Sequence, residues 1–178
     1  MTTYDSMSQR LTAALALGDS PVAIRFGDTA ASTTNAPTAP VAAGCSFWEL
    51  GAKRTLVTTA AHHQHCSIGI HTHNLVGATE RHADELNNAL AARQGLDYVR
   101  PEEVANLPVM TKASEQVSYA PLGECDEPPD VVLLFVNAHQ GLIVTEAAAR
   151  VDGAMPMTMG RPACALIPAV INLSLIHI

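Results

Sequence analysis

Hydrophobic residues along this chain change period several times, and each change marks an element. Over residues 5–17 (DSMSQRLTAALAL), Met7, Leu11, Ala14 and Leu15 recur at helical spacing. Asp5 or Ser6 can cap that helix and Gly18 can end it. In PVAIRF (21–26), Val22, Ile24 and Phe26 alternate with Ala23 and Arg25, the period of a strand. Pro21 stands at the first position, where a missing N–H does least harm. Residues 27–44 have no period and are rich in Thr, Ala, Pro and Ser, which predicts a long loop. A short helix is expected over 46–52 (SFWELGA), and a strand over 54–59 (RTLVTT) from its β-branched content. Another short helix should run from about Cys66 toward Asn74. The clearest helix is 79–93, with Thr79 as cap, Ala83, Leu86 and Leu90 as apolar stripe, and Gly95 beyond its end.

A further short helix is predicted over 101–107, where Pro101 and the acids behind it suit a first turn. EQVSYAPL (115–122) reads as a strand that ends at Pro121. VVLLFV (131–136) is a continuous apolar run, which predicts a central strand buried on both faces. Residues 138–150 form a helix, and AMPMTMG (154–160) a strand or extended link. Met155, Met157 and Met159 alternate there, as a packed face does, rather than as a copper-binding cluster. Residues 161–172 begin as a helix that Pro168 should end or kink. Strands and helices alternate throughout. The expected fold is therefore α/β, a single domain over 1–172 with one mixed sheet flanked by helices.

Composition narrows the partners. The chain has 178 residues, enough for a core without metal or disulfide staples. Its apolar fraction is 48 % but its aromatic fraction only 4 %, so the core must use small side chains. Charged residues make up 15 %, a low-charge exterior that suggests a surface covered by a second subunit, a homo-oligomer. A formal net charge of −7 with no basic stripe argues against nucleic acid and against an anionic membrane surface. No run of about 18 apolar residues suggests a membrane span. MTTYDSMSQR has no basic region followed by an apolar one, so a cytoplasmic, reducing setting is expected, with cysteines as thiols or ligands.

The chemistry gathers between Cys45 and His73. That stretch holds two of the four cysteines, five of the eight histidines (His62, His63, His65, His71, His73) and the only tryptophan, Trp48. Thiolate and imidazole together suit zinc, copper or iron. His62 and Cys66 are four apart, and His62 and His65 three apart, so either pair shares a helical face. A second possibility is a thiol nucleophile, because Cys45 precedes one short helix and Cys66 opens another, with Asp130 or Glu49 available to orient a histidine. The third is that the cysteines are small buried hydrophobes and the histidines a solvated turn. Trp48 and Phe47 also fit as core anchors. His139 and Gln140 open the helix after the expected central strand and can line a pocket for a small-molecule ligand. Trp48, His139 and Gln140 are thus the candidate cofactor contacts.

Several segments together resemble the domain-of-unknown-function 169 family: PVAIRF, CSFWELGAKRTLVTTAAHHQHCSIG, YAPLGECDEPPDVVLLFV, AHQGLIV and GRPACALIPAV, over roughly Leu17 to Asn172. The resemblance implies a shared fold and recurrent cysteines at Cys45, Cys66 (in C-x-x-G) and Cys164 (in G-R-x-A-C), with Cys125 outside the pattern. It also implies a further Gly- and Cys-containing segment and a final strand, which would complete an iron–sulfur or other four-ligand site. The ligand candidates in order are Cys45 and Cys66, then Cys164 and His65, with His62 behind them. The last six residues, LSLIHI (173–178), are what CTG TCT CTT ATA CAC ATC encodes, the end of a common transposase library adapter. They read as untrimmed adapter on a truncated metagenomic gene. Genomic DNA encoding LSLIHI and a stop codon would refute that.

Overall fold

The computed structural model describes residues 3–27, 37, 45–63, 66–96, 100, 102–103, 106–152 and 163–173. Its frame is one sheet of four strands: β1 (Val22–Gly27), β2 (Leu56–Thr58), β3 (Gln116–Pro121) and β4 (Val131–Leu133), in the order β2-β3-β1-β4. Every pairing is antiparallel. Among the described residues six helices with defined bounds accompany it: α1 (Thr3–Leu15), α2 (Ser46–Gly51), α3 (Ser67–Thr72), α4 (Glu80–Gly95), α5 (Ala138–Asp152) and α6 (Leu166–Leu173). The chain is thus a mixed α/β protein with a single sheet and flanking helices, as the alternation of periods predicts. None of the described helices is long and apolar enough to cross a membrane.

Register explains the core. Ile24 pairs with Tyr119 and with Val131, and Leu56 pairs with Tyr119, so one row of side chains crosses all four strands. Leu56, Tyr119 and Ile24 in that row are fully buried. Helix α2 adds Phe47 and Trp48 to the same cluster. Its Gly51 lets the helix approach closely: a Cβ there would stand 2.8 Å from Tyr119 Cβ and 2.9 Å from Val22 Cγ1. The core is built on large side chains, Phe47, Trp48 and Tyr119 among them, rather than on the small ones that the low aromatic fraction suggests.

Helix ends are set by devices that the sequence shows only in part. Ala16, not Gly18, ends α1, with φ at +49° and the Leu17 N–H bonded to Thr12 O at 3.1 Å. Thr79 caps α4 as predicted, but the reciprocal partner is a histidine. The Thr79 N–H donates to His82 Nδ1 at 3.1 Å, so imidazole fills the place that a carboxylate takes in a capping box. Thr59 and His62 repeat the device at the one-turn 3-10 helix Ala60–His62, at 3.0 Å.

Two expectations are corrected. VVLLFV is not a central strand buried on both faces. Only Val131–Leu133 join the sheet, and among the described residues β4 pairs with β1 alone. Val132, Phe135 and Val136 are exposed. Asp130 fixes this geometry: its carboxylate accepts the Phe26 N–H at 2.6 Å and its own N–H bonds Ile24 O at 2.9 Å, which clamps the run to the outer side of β1. Pro168 neither ends nor kinks α6. It is the third residue of that helix, where its missing N–H would have had no intrahelical acceptor. A one-turn 3-10 helix, Ala163–Ala165, leads into α6. Most of the predicted loop over 27–44, much of the short helix over 101–107, the methionine segment, His65 and residues 174–178 lie outside the described residues.

Candidate functional site

The mouth of α3 brings one candidate ligand, Cys66, together with His63. Cys66 is the residue just before that helix, and His63 follows the 3-10 turn that Thr59 and His62 hold closed. Gly69 lies one turn into α3. A Cβ at Gly69 would stand 2.7 Å from Cys66 Sγ and 3.6 Å from His63 Nδ1. The thiol and the imidazole nitrogen therefore face one small wedge, left open because position 69 has no side chain. Helix α3 packs on the Ala163–Ala165 turn, which brings Cys164 in from the far end of the chain.

Burial dominates the electrostatics here. His63 is fully buried, with its ring edge-on to Phe47 at 4.9 Å between centroids. Neither ring nitrogen finds a hydrogen-bond partner among the described residues. Burial, and then charge on His73, His62 and His82, lowers its pKa to about 3. His73 closes α3 and is buried against Phe26 at 5.4 Å, and neither of its ring nitrogens has a partner among the described residues. Burial lowers its pKa to about 4; the Cys164 backbone opposes this, from a position that completes no hydrogen bond. Both imidazoles are neutral at neutral pH, with lone pairs unused.

The Tyr119 hydroxyl is fully buried in the same region and has no hydrogen-bond partner among the described residues. Burial pushes its pKa upward. The Thr58 hydroxyl opposes that from outside hydrogen-bonding geometry, while charge on Cys66 and Cys164 adds to it. Burial raises the Cys164 thiol to about 11; the Thr72 side chain draws it back, and charge on Cys66 and on Cys45 adds to the rise. Through the packing of the Ala163–Ala165 turn on α3, Cys164 and Cys66 come to the same helix from distant parts of the chain. Cys45 is exposed, Cys66 half-buried and Cys164 buried. Even so, among the described residues no group of three or more His, Cys, Asp or Glu side chains is arranged to hold a metal ion.

The other sequence candidates go elsewhere. His62 uses Nδ1 to accept the Thr59 N–H. Trp48 sits in the core cluster with Nε1 unpartnered among the described residues. His139 is exposed at the start of α5. Gln140 ties that start to the end of α1: its Nε2 donates to Leu15 O at 2.8 Å and Ala16 O at 3.2 Å, and its Oε1 accepts the Asn137 N–H at 2.8 Å. Cys125 donates to Glu127 O at 2.9 Å in a separate turn. A shallow, mostly apolar cavity of about 260 Å³ opens between α3 and α4, lined by Ser67, Ile70, His71, Asn74 and His82 among others.

Sequence reasoning passed over His63, His73 and Tyr119 as site residues. The signal for His63 was present: with His62 capping a turn, the next histidine in HHQHC points the other way. The signals for His73 and Tyr119 needed the fold. The chemistry available is that of a neutral imidazole beside a thiol. It suits coordination better than a Cys/His ion pair, because such a pair needs an imidazolium.

No curated protein and no solved structure was found to match. A family model does match, over residues 10–171: domain of unknown function 169, described as uncharacterised ArCR. That span takes in nearly every described element, from within α1 to within α6, and the chain belongs to this family.

Proposed function

We propose that the protein binds a metal ion or a metal-containing cofactor, an iron–sulfur cluster included, through Cys45, Cys66 and Cys164. One observation supports this reading: Cys66 and Cys164, far apart in sequence, come to one helix beside buried polar groups that lack partners among the described residues. Each buried donor or acceptor without a partner costs about 1–3 kcal/mol. His63, His73 and Tyr119 hold five such atoms between them. A bound group that accepts those lone pairs offsets the cost, and thiols give up their protons to a metal. The reading also keeps the thiols in a reducing compartment, as expected for a cytoplasmic protein.

The test is reconstitution. Reduced protein is incubated anaerobically either with zinc(II) or with iron and sulfide, desalted, and its metal measured. The reading expects retention near one site per chain, lost in Cys66→Ser and Cys164→Ser. Equal retention by both variants and the parent would refute it. The alternative, a thiol-dependent reaction on a small molecule, draws on the exposed thiol of Cys45. Selective alkylation of Cys45 near neutral pH, with no metal retained, would favour it.

A further inference from the structure

We infer that His63 is a ligand of this site, coordinating through Nδ1 beside the Cys66 thiolate. This rests on the cysteine-site reading and adds to it a nitrogen donor. Three independent features converge on His63. It is fully buried, and both ring nitrogens lack partners among the described residues. Its Nδ1 and the Cys66 Sγ face the same wedge, at 3.6 and 2.7 Å from the point where a Gly69 Cβ would stand. Its ring is held in place by Phe47 on one side and by the capped turn before it in the chain.

The other described histidines of this stretch are placed differently. His62 Nδ1 accepts the Thr59 N–H. His71 is exposed on the opposite, α4-facing side, at the cavity. His73 packs against Phe26 and has the Cys164 backbone nearby. His63, by contrast, has a nitrogen placed beside a cysteine sulfur across position 69. A thiolate and a neutral imidazole together select borderline and soft transition metals over magnesium or calcium. Gly69 serves the site by what it lacks. Alanine is a better helix former than glycine, so glycine inside α3 works against the helix while keeping the wedge open.

The test uses cobalt(II) and zinc(II) on the full chain, reduced and free of oxygen. With cobalt(II), the parent should show a sulfur-to-metal charge-transfer band. His63→Gln should keep that band but shift the visible d–d bands and weaken binding about tenfold or more. Gly69→Ala, whose Cβ would stand 2.7 Å from Cys66 Sγ and so push the thiol away from His63 Nδ1, should weaken binding to a similar degree. As a check free of any variant, zinc(II) should move the His63 Nδ1 resonance of the parent into the metal-bound range in ring-nitrogen NMR, leaving His62 unmoved. A charge-transfer band in the parent with no change at His63, by NMR or in the variants, overturns this inference alone. Absence of the band in the parent overturns the cysteine-site reading and this inference with it.

Discussion

Acid is expected to destabilise the metal-free protein through two residues, His63 and His73. Burial holds their folded-state pKa values at about 3 and about 4, against 6.5 for an unperturbed histidine. The folded values are depressed, so the unfolded chain takes up protons first as the pH falls. Stability from this source is therefore full above about pH 7, falls as pH drops through the unfolded value, and levels off only near the folded ones. Each histidine contributes a slope of about 1.4 kcal/mol per pH unit inside that window. Between pH 7 and pH 5 the two together remove roughly 4 kcal/mol, a large share of the 5–15 kcal/mol typical of a domain. Both folded values lie below pH 5, so the figure depends mainly on the unfolded one. The assay is urea unfolding of chelator-treated, reduced protein at pH 7, 6 and 5, alongside His63→Leu, His73→Leu and the double variant. Each single variant should lose about half the pH dependence, and the double nearly all of it. A double variant that loses as much stability as the parent between pH 7 and 5 would refute the reasoning.

Three further changes test the frame. Gly51→Ala places a Cβ against Tyr119 Cβ and Val22 Cγ1, both rigid core atoms, and should lower stability by about 1–3 kcal/mol in the same urea assay. Thr79→Ala removes the α4 capping pair with His82 and should cost about 1 kcal/mol, with faster amide exchange over the first turn of the helix. Asp130→Ala strips the Phe26 N–H of its acceptor, and exchange at the Phe26 amide should accelerate well beyond that at Ile24.

What was readable in the chain followed from local rules. The period of Val22, Ile24 and Phe26 placed β1, Thr79 placed the start of α4, and the alternation of elements placed the fold class. The misreadings came where tertiary contacts decide. VVLLFV is apolar enough for a central strand, yet Asp130 one residue earlier clamps it to the outside of β1. Pro168 breaks a helix only past the first turn, and the start of α6 is set by packing that the sequence does not show. At the candidate site, position along the chain singles out Cys45 and Cys66, and the resemblance singles out Cys164. The choice among histidines is not legible that way. Thr59-Ala-Ala-His62 and Thr79-Glu-Arg-His82 are the same capping pattern with imidazole as the acceptor, which removes His62 Nδ1 from the ligand pool and leaves His63 facing the thiol.

The central claim is most directly tested by the metal content of the full chain as isolated, purified anaerobically and without chelators, beside Cys66→Ser. The account predicts zinc, copper or iron at about one site per chain in the parent, and its loss in the variant. Less than a tenth of a site of every transition metal in the parent, or undiminished metal in Cys66→Ser, would contradict it.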